Sequence, residues 1–70
     1  MIEGTVKWFN SEKGYGFIRP DGGGPDAFVH ISVVELAGLP ELRRGQKVTY
    51  ELITHRRGDK TSAINLKLQN

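Results

Sequence analysis

Seventy residues, with ten Lys and Arg against eight Asp and Glu, leave a net charge of only +2 and room for one small domain, residues 1–70. No cysteine is present, which excludes disulfides and cysteine-built metal sites, and no apolar run approaches the ~20 residues of a membrane span. The start Met1-Ile2-Glu3-Gly4 has neither the basic nor the apolar region of a signal peptide, so the expected location is cytoplasmic.

Glu3 to Asn10 alternates as a first strand, with Val6 inward and Lys7 outward. Trp8 and Phe9 are adjacent, so strict alternation would send them to opposite faces unless a bulge or strong twist intervenes. Ser11-Glu12-Lys13-Gly14 has turn chemistry. Tyr15 to Arg19 is a second strand, with Tyr15, Phe17 and Arg19 on one face and Gly16 and Ile18 on the other. Pro20 to Pro25, with three consecutive glycines, is a loop. Asp26 to Ile31 forms a third strand, Phe28 and His30 sharing one face and Ala27, Val29 and Ile31 the other.

Ser32 to Leu36 predicts a helical turn capped by Ser32, and Gly38 and Pro40 forbid a long helix. Lys47 to Thr54 is a fourth strand in which Val48, Tyr50 and Leu52 alternate with Lys47, Thr49 and Glu51. Arg56-Arg57-Gly58-Asp59 is a turn, and Thr61 to Leu68 a fifth strand with Ile64, Leu66 and Leu68 on one face. Five short strands joined by turns predict an all-β, closed or nearly closed antiparallel barrel. Closure also removes the exposed edges that so small a chain has little helix to cover.

Two ring pairs stand out: Tyr15 with Phe17, and Phe28 with His30, each two residues apart and therefore each on one face of its strand. A core face would not carry Arg19, Asp26 and His30 at the same parity, so these rings are expected at the surface. Lys7, Lys13 and Arg19 lie among them. Rings beside cations suit the stacking of unpaired bases. The competing chemistries lack parts. His30 and His55 alone cannot complete a zinc site without cysteine. Gly22-Gly23-Gly24 lacks the Gly-Lys-Ser/Thr ending of a phosphate loop. Only Asp21 and Asp26 are close carboxylates, too few for metal-dependent phosphodiester cleavage. The alternative reading is a small barrel that binds a protein or peptide partner through the same aromatic patch.

With these motifs placed, the chain resembles the bacterial cold shock proteins, built of a single cold-shock domain. Gly4 to Asn10 matches G-x-V-K-W-F-N, Lys13 to Ile18 matches K-G-[FY]-G-F-I, Asp26 to His30 matches D-x-F-V-H, and Gly45-Gln46-Lys47-Val48 matches G-Q-x-V. The resemblance implies a five-stranded OB-fold barrel that binds single-stranded RNA and DNA with low sequence selectivity. Because rings stack only on unpaired bases, such a binder is expected to act as an RNA chaperone, and the lack of clustered carboxylates predicts that it is not an enzyme. By position the resemblance assigns base stacking to Trp8, Phe17, Phe28 and His30, with Phe9 and Tyr15 at their edges. It gives Lys7, Lys13 and Arg57 contacts to backbone or base edges, and Asp26 a hydrogen bond from a base. No cofactor, metal, membrane or small-molecule substrate is expected, and the expected state is a monomer, with a strand-exchanged dimer hinged at Ser32 to Gly45 left open. Ile31 and Leu39 stand where the family carries further aromatics, so a shorter stacking platform is expected.

Overall fold

A computed structural model describes residues 1–54 and 61–69 of the chain. These residues form β1 (Ile2–Asn10), β2 (Tyr15–Pro20), β3 (Ala27–His30), α1 (Ile31–Leu36), β4 (Lys47–Thr54) and β5 (Thr61–Leu68). The strands close into a barrel in the order β1-β2-β3-β5-β4. Neighbours run antiparallel except β3 and β5, which are parallel and register at Phe28 and Ser62. A closed ring of five strands cannot alternate direction all the way round, so one parallel joint is required.

The interior is apolar throughout. Val6, Ile18, Ala27, Val29, Val48, Tyr50, Ala63 and Leu66 point into the barrel, Val34 and Leu42 pack beside them, and no polar or charged residue is buried among the described residues apart from the phenol of Tyr50. Most of these positions follow the period of two read from the sequence. Gly4 is buried because β1 runs hard against its neighbours there. A Cβ at that position would come within 2.8 Å of the Arg19 carbonyl oxygen, Ile18 Cγ2 and Tyr50 Cε1.

Two irregularities break the alternation. On β1 the register passes from Val6 opposite Ile18 to Trp8 opposite Phe17, which leaves Lys7 as an extra residue. Val6 therefore points inward, Lys7 and Trp8 are both exposed, and Phe9 packs partly against the core. The second lies on β5. Thr49 pairs with Lys67 and Glu51 with Ile64, so Tyr50 faces two residues, Asn65 and Leu66. Asn65 adopts a left-handed conformation, φ 51°, and its side-chain amide donates to Glu51 Oε1 at 2.9 Å.

That bulge corrects the expected β5 face. The buried residues are Ala63 and Leu66, three apart, while Ile64 is half-buried and Leu68, at the strand end, is exposed. Leu52 is also exposed rather than inward. β1 covers β4 only from Lys47 to Tyr50, and Leu52 lies past that cover. β3 is shorter than expected, since Asp26 precedes it and Ile31 opens α1. The helix cap is His30, not Ser32: the His30 side chain accepts the Ser32 amide while its backbone stays extended. The predicted turn Arg56 to Asp59 lies outside the described residues.

Candidate nucleic-acid interface

β2 forms the middle of the site. Tyr15 and Phe17 leave its outer face, and Phe28 on β3 stands directly opposite Phe17. The Lys7 bulge brings Trp8 of β1 to the other side of Phe17. The four rings form one cluster, in which Tyr15 and Phe17 bridge Trp8 and Phe28. Trp8 meets Phe17 and Tyr15 edge to face, with centroids 5.3 and 5.6 Å apart. Phe17 meets Phe28 edge to face at 5.8 Å, and Tyr15 stacks on Phe28 at 5.7 Å with 23° between planes. None of the four belongs to the barrel core or packs against it, and Trp8 is 37% exposed.

Gly16 makes this arrangement possible. It is buried between the two β2 rings, and a Cβ there would collide with the Trp8 carbonyl oxygen and come within 2.7 Å of Phe9 Cα. Without a side chain at Gly16, β1 approaches β2 from beneath and Trp8 closes on Phe17. Tyr15 contacts Trp8, Phe17 and Phe28, so it stands inside the ring cluster rather than at its edge. Phe9, in contrast, turns partly toward the core.

His30 faces Tyr15 across the β2–β3 pair and is exposed. Its Nδ1 accepts the Ser32 amide at 3.1 Å and lies 2.9 Å from Ser32 Oγ, which leaves Nε2 to carry the proton of the neutral ring. The first turn of α1 thus fixes the imidazole at the margin of the cluster. Ile31 is half-buried. Its amide donates to the Gly14 carbonyl, and a Cβ on Gly14 would lie 3.3 Å from its Cγ2. Leu39 packs against the core.

The charged residues border the rings. Lys7 Nζ pairs with Asp26 at 3.0 Å, joining two of the expected site residues across β1 and the start of β3. Lys13 is exposed on the β1–β2 turn, where Asn10 Oδ1 accepts the Glu12 and Lys13 amides and holds the turn closed. Arg57 lies outside the described residues.

One polar cluster was not anticipated. Thr5 Oγ1 donates to Asp21 Oδ1 at 2.8 Å, and Lys47 Nζ donates to Thr5 Oγ1 and to Asp21. The Thr5 hydroxyl, above all, holds the Asp21 carboxyl below its ordinary range. Partial desolvation opposes it, and the Lys47 hydrogen bond and the charges of Lys47 and Arg19 add to it. These partners are far apart in the chain, and no short-range pattern announces them. Among the described residues, no three His, Cys, Asp or Glu side chains converge as a metal ion requires, and no helix is long and apolar enough to cross a membrane.

Comparison with known proteins agrees with this fold. The family model of the 'Cold-shock' DNA-binding domain matches residues 2–69. The "Probable cold shock protein y4cH" of Sinorhizobium fredii is 61% identical over 67 residues, covering 96% of this chain and 97% of that protein. "Cold shock protein CspA" of Rhizobium meliloti is 57% identical over the same shares. "Cold shock protein ScoF" of Streptomyces coelicolor is 52% identical over 64 residues, 91% of this chain and 96% of that protein.

Proposed function

The chain belongs to the 'Cold-shock' DNA-binding domain family, and we propose that it is a single-strand-selective RNA and DNA binder that works as an RNA chaperone in the cytoplasm. The observation that carries this reading is the cluster of Trp8, Tyr15, Phe17 and Phe28, held outside the core and bordered by Lys7 and Lys13. Rings stack only on bases whose faces are free, and a duplex covers those faces. Binding therefore stabilises the open state of an RNA hairpin by the difference in affinity for the two states, with no nucleotide hydrolysis and no catalytic step. Antitermination, relief of inhibitory structure during translation, and cold adaptation are the outputs that the likeness to cold shock proteins suggests.

His30, Phe9 and Arg57 complete the proposed surface, with Asp26 accepting a hydrogen bond from a base. Backbone contacts by two to four cations would give a log–log salt slope of about −1.4 to −2.8. The test is a titration followed by Trp8 fluorescence, using a pyrimidine-rich single strand and the same sequence as duplex. Quenching by the single strand alone is expected. Equal quenching by both, or by neither, would remove the stacking mechanism.

A further inference from the structure

The outer face does not end at the rings. Two residues beyond Phe17, about 7 Å along the strand, Arg19 leaves β2 on the same side. Beside it lies a shallow groove lined by Thr5, Lys7, Arg19, Asp21, Asp26 and Arg44. Arg44 is brought there by the segment before β4. Gly45 N donates to the Val6 carbonyl and Val6 N to the Gln46 carbonyl, both at 2.8 Å, which pins that segment against the Lys7 bulge. Gln46 N bonds the Arg43 carbonyl and Gln46 Oε1 accepts the Arg43 amide, closing the turn that presents Arg44.

The charges of this groove are unevenly matched. Lys7 pairs with Asp26, and Lys47, beside the groove, with Asp21. Both carboxylates are thus held by lysines. Arg19 acts on Asp21 only through its charge, and among the described residues neither Arg19 nor Arg44 has an ion-pair partner. The groove adjoining the rings therefore carries two exposed guanidiniums in excess, the side chain best suited to phosphate oxygens.

We infer that Arg19 and Arg44 form a phosphate-binding shelf that carries the backbone of a bound single strand past the ring cluster, across β1 toward Gly45. This rests on the reading of the rings as a single-strand site and extends it by the nucleotides that follow. Thymidine oligomers of four and ten nucleotides test it, with Trp8 fluorescence read across a KCl series. The shorter oligomer covers the rings, and the longer one also reaches the shelf.

With the R19Q/R44Q variant, the ten-nucleotide slope should become shallower by about 1.4, the value for two phosphates on a single strand, while four-nucleotide binding is unchanged. R19K/R44K should restore the slope, because it counts charges, and a restored slope excludes loss of fold as the cause. An unchanged ten-nucleotide slope in R19Q/R44Q overturns the shelf. So does an equal loss at both lengths, which would make the arginines part of general attraction. If the wild type binds neither oligomer, the single-strand reading itself fails. The two failures are therefore distinct.

Discussion

Tyr50 is fully buried, 0% exposed, with its ring packed over Gly4 and opposite the β5 bulge. Its hydroxyl has no hydrogen-bond partner among the described residues. Folding therefore removes that group from water without replacement, at a cost of ~1–3 kcal/mol. Tyr50→Phe removes the oxygen and keeps the ring. The one-atom void sacrifices only a few contacts of ~0.1–0.2 kcal/mol each. The net expectation is a gain of about 1 kcal/mol, or roughly 4–8 °C in Tm for a domain of this size.

A pH signature separates this cause from others. Burial, with the charges of Asp21 and Asp26 adding to it, pushes the Tyr50 phenol above its ordinary value of 10.0. The unfolded chain then loses this proton before the folded one does. Wild-type stability from this group is intact below pH ~10 and falls as pH rises above it, whereas Tyr50→Phe lacks that fall. The advantage of the variant should widen in alkali. Urea denaturation of both proteins at neutral and alkaline pH measures this. A variant less stable than wild type by ~1 kcal/mol at neutral pH would show that the hydroxyl is well bonded, and parallel alkaline limbs would refute the linkage.

Three further outcomes follow from the site. Gly16→Ala should destabilise the barrel by ~1–3 kcal/mol and shift Trp8 emission, because the added methyl meets β1 backbone; an unchanged melt and spectrum would contradict the close approach. Asp21→Asn tests the Thr5–Asp21–Lys47 cluster. A carboxyl with a lowered folded pKa stabilises above its unfolded value of ~3.9 and loses that contribution as pH falls through the folded value. Acid melts of wild type should therefore steepen relative to the variant, and superimposable acid limbs would remove the cluster's role. Phe28→Ala should weaken single-strand binding by ~1–3 kcal/mol with the fold retained, as followed by titration and circular dichroism; unfolding would mean that the ring supports the barrel.

Much of the barrel was legible because period-two reasoning needs only a strand and one buried face. Val6, Ile18, Ala27, Val29, Val48 and Tyr50 all fall inward as their parity predicts. The outward rings were legible for the same reason, since Tyr15, Phe17 and Phe28 share their parities with Arg19 and Asp26. What escaped depends on partners distant in the chain. The position of the Lys7 bulge is set by β2, and the Asn65 bulge by β4. Leu52 has inward spacing but no strand of β1 beside it. Ser32 has the composition of a cap, yet His30 lies one residue before the helix and reaches its free amide first. Tyr15 looks marginal when positions are compared one by one; its place among three rings emerges only when β1, β2 and β3 are assembled.

The parallel joint between β3 and β5 carries a consequence for how the barrel breathes. Phe28 is a ring of the outer cluster and also the residue through which β3 registers against Ser62. On the proposed stacking reading, a base on Phe28 would lie across the hoop's seam. An opening that carries Phe28 away from β5 would then compete with binding of that base. Where the opened form does not bind, such an opening becomes ~2.7 kcal/mol harder at a ligand concentration of 100 times Kd. A strand bound there would act as a clasp on the barrel, and amide exchange at Val29 and Ser62 is where its grip would be felt.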